Sequence, residues 1–436
     1  MLLEFTIGNF LSFGVSQKFS LVADNHEKNL WENVIECRLP GMSDSNYLSS
    51  AAVYGANASG KSNLLLAILV LRNFIERSFR IDLDDPTCAA PFKLNSVYES
   101  LPTTFEILFV ADSVRYQYNI SLTAKRIVEE SLIAYPKGKS QELYRRKWNS
   151  KSDRYKWSFP NNSDKKILTM ISDRTRPNVA FLSKSADDKY LPFMPVYNWF
   201  SKTLKMFNAA DNFLNHFYTV RKMETSQDQY EQILSLLKNA DLDIIKAQIK
   251  KRDLTNDEIK KLFPQIDLEK EQWQRKNENQ QPINSVSISF FHSGEKNKPV
   301  EMDFDKDESA GTRRYFALLG PLLDVLNNGC VLFIDELENS LHPLLVIELI
   351  KLFRSEYNRK GAQLIFTTHN SILLDETLLR RDQIWFTEKK QNGETSLYPL
   401  TDFNSQKDEA LTKGYLTGRY GAIPFIPNGL NFNKNE

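Results

Sequence analysis

Alternating apolar and polar side chains mark several stretches of the chain and predict strands, because successive strand residues face opposite sides of a sheet. Residues 2–19 alternate in this way around a turn near Gly14, and Val286, Ile288 and Phe290 alternate with serines. Three further stretches, separated by turn residues, predict an antiparallel meander: 105–107, 116–122 and 144–147.

Two continuous apolar runs predict strands that are buried on both faces. The first run, 51–54, is followed by a helical pattern over 61–77. The second run, 330–334, is followed by a helical pattern over 342–357 and by another apolar strand at 363–367. This alternation of strand and helix predicts a parallel sheet.

The middle of the chain changes to helical spacing over 191–261. Apolar side chains recur there at intervals of three and four, at Ile233, Leu236, Leu237 and Ala240. A capping box at 255–258 predicts a further short helix, and the mixed charges of 267–281 predict a solvated helix or linker.

The composition is that of an ordinary globular protein, with 41% hydrophobic and 25% charged residues. The 56 Lys and Arg residues balance 55 Asp and Glu residues, so nucleic-acid binding would need a local basic patch. Three distant cysteines, Cys37, Cys88 and Cys330, fit a reducing compartment. The chain shows no signal-peptide pattern and no apolar run near the about 20 residues that span a bilayer. A cytoplasmic protein without membrane contact is expected.

Residues 55–62, Gly-Ala-Asn-Ala-Ser-Gly-Lys-Ser, match the phosphate-binding P-loop, G-x-x-x-x-G-K-[ST]. The loop lies between the strand at 51–54 and the helix at 61–77, as a P-loop does. Its glycines let backbone N–H groups point at phosphate oxygens. Lys61 suits neutralisation of phosphate charge, and the Ser62 hydroxyl suits Mg²⁺. The loop therefore predicts a nucleotide-binding site.

Three other groups of residues suit phosphate chemistry when a P-loop is present. Asp335 and Glu336 end the most apolar strand, where Asp335 suits Mg²⁺ ligation and Glu336 suits activation of a water molecule. His369 follows the strand at 363–367 and can reach a γ-phosphate. The segment 309–312, Ser-Ala-Gly-Thr, opens a helix and offers a second anion site, although a plain N-cap explains it better if it stands alone.

The order of these motifs resembles that of the ABC-type ATPases. The counterparts are the Walker A motif at 55–62, the signature at 309–312, the Walker B aspartate Asp335 and catalytic Glu336, the D-loop at 339–342 and the switch histidine His369. The resemblance implies an α/β fold, an ABC-type P-loop ATPase head whose mixed sheet has an antiparallel β subdomain. It divides the chain into an N-terminal lobe at 1–189, a helical insertion at 190–284 and a C-terminal lobe at 285–436.

The resemblance also implies which residues bind ATP and Mg²⁺. The nucleotide-binding set is Gly55, Asn57, Gly60, Lys61, Ser62, Asn63, Ser309, Gly311 and Thr312. Ser62 and Asp335 would ligate Mg²⁺, while Glu336 and His369 would be catalytic. The signature has Ala310 and Thr312 where transporters have Gly and Gln. With Asn57 and Asn63, this form resembles the stand-alone ABC ATPases of DNA repair and phage defence.

Three segments, 1–13, 340–343 and 418–424, resemble a bacterial defence group that includes RloA, the lactococcal abortive-infection ATPases and AriA of the PARIS system. In such systems the ATPase is encoded beside an effector. The resemblance implies a sensor or regulatory ATPase of an anti-phage system that controls a nuclease or toxin partner. Because the chain has one set of motifs, it also implies a homodimer or larger even assembly with two composite sites.

Other classes fit less well. Transporter heads place the signature much closer to the P-loop, and chromosome-structural ATPases separate the motifs by far longer coiled coils. A fused nuclease would need more chain than follows His369. A DNA-repair ATPase of the same structural branch, which binds DNA directly, remains the alternative.

The segment 137–156 is a candidate nucleic-acid patch, with eight basic and two acidic side chains and interleaved aromatic residues. Arg145, Arg146 and Lys147 form its centre. A basic hairpin of this kind can follow a phosphate backbone and stack bases. A solvated hairpin whose aromatic side chains pack on the body of the protein explains the pattern as well.

Overall fold

The computed structural model describes residues 1–41, 45–160, 164–207, 212–240, 243–253, 255, 284–403 and 411–424. The chain forms two compact units. The first comprises Met1–Ala210 and Asp324–Glu436, and the second comprises Asp211–Leu323. The predicted capping box, apart from Thr255, and the predicted linker at 267–281 lie outside the described residues.

The first unit contains an antiparallel sheet with the strand order β10–β9–β8–β7–β6–β1–β2. Its strands are β1 (Leu2–Gly8), β2 (Gln17–Ser20), β6 (Thr103–Ala111), β7 (Val114–Thr123), β8 (Arg126–Tyr135), β9 (Gln141–Asn149) and β10 (Arg154–Ser158). In β7 every second side chain from Tyr116 to Leu122 is buried, which confirms the predicted alternation. Strand β8 was not predicted, because Glu129, Glu130 and Ser131 interrupt its apolar pattern.

A second sheet of the first unit has the order β11–β15–β16–β5–β17–β18. Its strands are β5 (Ser50–Gly55), β11 (Leu204–Phe207), β15 (Val331–Ile334), β16 (Gln363–Thr367), β17 (Ile384–Lys389) and β18 (Thr395–Pro399). All pairs are parallel except β17–β18. The predicted parallel sheet is thus confirmed. A short hairpin, β3 (Val34–Cys37) and β4 (Ser45–Leu48), is also present.

The helices of the first unit are α1 (Lys61–Arg77), α2 (Ser96–Glu99), α3 (Lys165–Asp173), α4 (Phe181–Asp187), α5 (Met194–Asn198), α9 (Pro343–Leu352) and α10 (Leu411–Leu416). Helix α1 has the predicted bounds, whereas α9 ends earlier than the predicted 357. One core joins the two sheets to α1: it includes Phe5 and Ile107, Leu64 and Ile68, and Val331. This core fixes the start of α1 against the strand that precedes it.

The second unit contains α6 (Asn212–Thr225), α7 (Gln227–Asn239), β12 (Ile244–Asp253), β13 (Asn284–Ser293), β14 (Pro299–Asp303) and the first part of α8 (Ala310–Asn328). Helical spacing predicts helices over 191–261, but two strands lie in this range: β11, and β12, which pairs with β13 along its length. The second unit has other bounds than the predicted helical insertion at 190–284. It begins at Asp211 and ends at Leu323, so it includes β13, β14 and most of α8.

Pro321 lies inside α8 and has no N–H to donate to the carbonyl of Ala317. The Thr219 hydroxyl of α6 donates to that carbonyl at 3.1 Å, and the Gly320 N–H donates to the same hydroxyl at 3.1 Å. A Cβ at Gly320 would lie 2.6 Å from the Thr219 Cα. Gly320 therefore permits the close approach that lets Thr219 satisfy the proline-broken turn.

None of the helices in the described ranges combines the length and the apolar character that a membrane crossing requires. The predicted α/β fold class, with a mixed sheet and an antiparallel β subdomain, is confirmed.

Candidate functional site

Three neighbouring parallel strands bring the predicted site residues to one edge of the sheet. The P-loop follows β5, Thr368 and His369 follow β16, and Asp335 and Glu336 follow β15. The carboxyl ends of adjacent parallel strands meet at the same edge, which is where open α/β sheets bind ligands. The structure therefore brings these first-unit motifs together.

The P-loop turns directly from β5 into α1. Gly60 has a φ of +112°, and a Cβ at this position would collide with the side chain of Thr395. The Ser59 carbonyl and the Ser12 hydroxyl both lie 2.8 Å from the Thr395 hydroxyl. Ser59 is also held by its hydroxyl, 2.6 Å from that of Thr387. Side chains of β17 and β18 thus hold the P-loop in place through hydrogen bonds to Ser59.

The Lys61 side chain is folded onto the loop and is mostly buried. Its ammonium donates to the carbonyls of Gly55 at 2.8 Å and Ala56 at 3.1 Å. Burial lowers the pKa of Lys61, and the carboxylates of Asp335, Glu336 and Glu338 oppose this shift. The lysine therefore lies within the electrostatic reach of the acids that follow β15.

The remaining P-loop positions differ in their exposure. Asn57 and Ser62 are exposed, so their polar atoms are accessible to a ligand. Asn63 is half-buried, and its amide donates to the Ser12 hydroxyl at 2.8 Å. Ser12 thus connects the first turn of α1 to the loop that follows β1.

Thr367 links the two acids to the neighbouring strand. Its hydroxyl donates to Asp335 Oδ1 at 2.5 Å and accepts from the Glu336 N–H at 2.7 Å. Glu336 has a left-handed φ of +51°, and its side chain is exposed. A left-handed φ strains the backbone of any residue other than glycine, and residues with such strain cluster at functional sites. The turn directs Asp335 toward β16 and leaves the Glu336 carboxylate accessible.

His369 has an exposed side chain directly after β16. Partial burial and the Lys61 ammonium lower its pKa, while Glu338, Glu336 and Asp335 raise it. The charges of the P-loop and of the acids therefore act on this imidazole together. Its backbone N–H donates to Glu338 Oε1 at 2.6 Å.

The segment that resembles the D-loop, 339–342, forms a second tight turn. Ser340 has a left-handed φ of +62°. His342 is the N-cap of α9, and its Nδ1 accepts from the Leu344 N–H at 3.3 Å. Pro343 is the first residue of α9, a position that needs no N–H. The turn therefore ends in a well-defined helix start.

The residues that resemble the signature belong to the second unit. Ser309 Oγ accepts from the Thr312 N–H at 3.0 Å and lies 2.9 Å from the Thr312 hydroxyl. Gly311 is in the first turn of α8. Ser309 is thus an N-cap in this structure, and its role toward a nucleotide stays a prediction.

The three central side chains of the proposed nucleic-acid patch pair with acids, two of which lie on the neighbouring strand β8. Arg146 is fully buried, 2.7 Å from Glu130 on β8, and cannot reach a phosphate backbone. Arg145 lies 2.7 Å from Glu129, and Lys147 lies 3.2 Å from the same carboxylate. The prediction for Arg146 was wrong, because the charge count along one hairpin omitted the strand paired with it.

Sequence reasoning missed four polar residues of the site: Ser12, Thr367, Thr395 and Glu338. Thr367 had a local signal, because it is a polar residue at the end of an apolar strand and directly precedes Thr368-His369. Ser12 and Thr395 had none, since their partners are remote in sequence.

The donors available for a cation are oxygen atoms. Ser62 offers a hydroxyl and Asp335 a carboxylate, and Mg²⁺ prefers such hard oxygen ligands. In nucleotide sites, phosphate oxygens and water molecules complete its six ligands. No group of three or more His, Cys, Asp or Glu side chains that could hold a metal occurs within the described ranges. The donor chemistry of Ser62 and Asp335 fits Mg²⁺ bound with a nucleotide.

The family model described as "AAA domain, putative AbiEii toxin, Type IV TA system" matches residues 50–375. Among solved structures, the chain is similar to the SMC head domain from Thermotoga maritima, with 14% identity and a TM-score of 0.39, over 91% of this chain and 98% of that one. It is also similar to an SMC head bound to the C-winged helix domain of ScpA, with 11% identity and a TM-score of 0.40, over 91% and 97%. No curated protein matches the chain.

Proposed function

The chain belongs to this family of AAA domains, whose model matches most of its length, and we propose that it binds and hydrolyses ATP. The observation that carries the proposal is the meeting of Lys61, Asp335–Glu336 and His369 at one edge of three parallel strands. Each belongs to a segment whose type and spacing suit phosphate chemistry.

In this proposal the P-loop N–H groups and Lys61 hold the phosphates, and Ser62 and Asp335 hold Mg²⁺. Glu336 orients and deprotonates the attacking water, for which its exposed carboxylate is accessible. His369 contacts the γ-phosphate. When bound, Mg²⁺ supplies charge neutralisation to the phosphates.

The substitution Glu336→Gln tests the catalytic role. We expect it to lower phosphate release by about 10²-fold or more, because a general base is lost, while ATP binding is retained. Glu348→Gln on α9 is the matched control, since Glu348 is exposed and pairs with Lys351 in the same helix. Hydrolysis at the wild-type rate by Glu336→Gln would overturn the assignment.

The cellular role proposed is that of a sensor or regulatory subunit in an anti-phage system, acting on a nuclease or toxin partner. The family description supports a toxin–antitoxin context. In cells that carry this chain and its neighbouring gene, protection from phage is expected with the wild type and not with Glu336→Gln. Equal survival of both, with hydrolysis stimulated by DNA, would instead indicate the DNA-repair alternative.

A further inference from the structure

Glu338 lies between the Walker B acids and the D-loop, and the proposed reaction gives it no role. Its Oε1 accepts a hydrogen bond from the backbone N–H of His369 at 2.6 Å. Its Oε2 is buried and has no hydrogen-bond partner within the part of the chain that the structure describes. A buried carboxylate oxygen without a donor is unfavourable. This unfavourable position makes Glu338 a candidate for a functional role.

The backbone around Glu338 holds its carboxylate at the end of β16. The Leu337 N–H donates to the Thr367 carbonyl at 3.2 Å, and the Leu341 N–H donates to the Glu338 carbonyl at 2.8 Å. The first bond ties the segment to β16, and the second closes the turn that leads into the D-loop. Backbone hydrogen bonds thus hold the chain before and after Glu338, so its carboxylate is positioned at the His369 N–H by the turn.

The charge of Glu338 acts on three groups of the site. Burial lowers the pKa of Lys61 and of His369, and the Glu338 carboxylate opposes both shifts. Burial raises the pKa of Tyr54, the residue before the P-loop glycine, and Glu338 raises it further. The negative charge of Glu338 therefore acts on the P-loop lysine, the switch histidine and the strand that precedes the P-loop.

We propose that Glu338 is a positioning residue that fixes the switch backbone at His369 and couples it to the D-loop at 339–342. Through the bond to the His369 N–H, it determines where the imidazole lies relative to the γ-phosphate. A movement of the D-loop shifts Glu338 and thereby the switch. This inference rests on the proposed ATPase function, because it assigns His369 to the nucleotide.

Two substitutions separate the hydrogen bond from the charge. Glu338→Gln keeps an amide oxygen that can accept from the His369 N–H, whereas Glu338→Ala removes the acceptor. We expect Glu338→Ala to lower kcat by about 10²-fold with little change in the dissociation constant for ATP, as misplacement of a reacting group does. Glu338→Gln should restore most of that loss. Glu348→Ala on the exposed face of α9 is the control.

A second readout follows the His369 imidazole by NMR titration, with its signal among the five histidines assigned through His369→Gln. Both Glu338 variants should lower the pKa of His369 further, because burial and Lys61 then act without the opposing carboxylate. This shift reports the Glu338 charge at the imidazole, whereas the loss of kcat in Glu338→Ala and its recovery in Glu338→Gln report the hydrogen bond to the His369 N–H.

The outcomes are distinguishable. An inactive wild type would overturn the ATPase proposal, while the NMR titration would still decide whether Glu338 acts on His369. An active wild type, with Glu338→Ala equally active and the His369 titration unchanged, would overturn the Glu338 inference alone. Loss of ATP binding together with activity in Glu338→Ala would likewise contradict a positioning role.

Discussion

At the P-loop, the side chain of Thr395 occupies the space that a Cβ on Gly60 would need. Thr395 is β-branched and therefore stiff, and its hydroxyl is 2.8 Å from both Ser12 and Ser59. It cannot move without breaking those contacts. Two independent reasons therefore require glycine at position 60: its φ of +112°, and the absence of space for a Cβ beside Thr395.

Gly60→Ala is therefore expected to destabilise the fold by about 1–3 kcal/mol and to abolish ATP binding, because the loop must shift. Gly138→Ala is the matched control. Gly138 also has a positive φ, +78°, and a Cβ there would lie 2.5 Å from the Gly41 carbonyl. The control should lose similar stability in denaturant unfolding but bind ATP normally. Normal ATP binding by Gly60→Ala would show that the loop tolerates the shift.

The motif residues were predictable from sequence because the P-loop and the acids after a buried strand are contiguous patterns. Gly60, Lys61 and Asp335 fall in such patterns. Ser12 and Thr395 were not predictable, since they meet only when β18 packs behind the P-loop. Glu338 was missed because nothing in its local sequence indicates a bond to the backbone of His369.

At the scale of elements, one buried ion pair joins β8, β9 and α4. Glu130 is 2.7 Å from Arg146 Nη2 and also accepts from the N–H groups of Phe181 and Leu182 at 2.9 and 3.2 Å. Those N–H groups lie at the start of α4, where a negative charge is favourable. The carboxylate therefore fixes α4 against the antiparallel sheet.

Arg146→Met should lower the free energy of unfolding by about 3–5 kcal/mol, because it leaves Glu130 buried without its cation. Lys147→Met on the same strand should change it by less than about 1 kcal/mol, since the Lys147 side chain is 65% exposed and its pair with Glu129 is screened by water. Urea unfolding monitored by tryptophan fluorescence measures both. Equal effects would mean that the buried pair contributes no more than a surface pair.

The elements that sequence reasoning placed correctly have either a strong helical period, as in α1, or a continuous apolar run, as in β15. Strands β8 and β12 were missed for a common reason. Charged residues interrupt the apolar alternation in both, and pairing with neighbouring strands decides their conformation. Such pairing brings together residues that are distant in sequence, and a local pattern does not report it.

At the scale of the whole molecule, the chain carries one P-loop and one signature-like segment. Ser309 caps α8 through the Thr312 N–H, so its hydroxyl lies at a helix N-terminus, where anions are favoured. We propose that this end of α8 completes the nucleotide site of a second copy. Two copies would then share two equivalent sites, as two-fold symmetry requires.

The most direct measurement is ATP hydrolysis by an equimolar mixture of two inactive variants, Lys61→Ala and Ser309→Arg. Each alone lacks one half of every composite site and should be inactive. In the mixture, a pair of unlike subunits has one intact site, formed by the P-loop of the Ser309→Arg chain and the Ser309 segment of the Lys61→Ala chain. Random pairing predicts roughly a quarter of the wild-type rate. A mixture as inactive as its components would contradict the composite site, and an active Lys61→Ala protein on its own would contradict the assignment of hydrolysis to this P-loop.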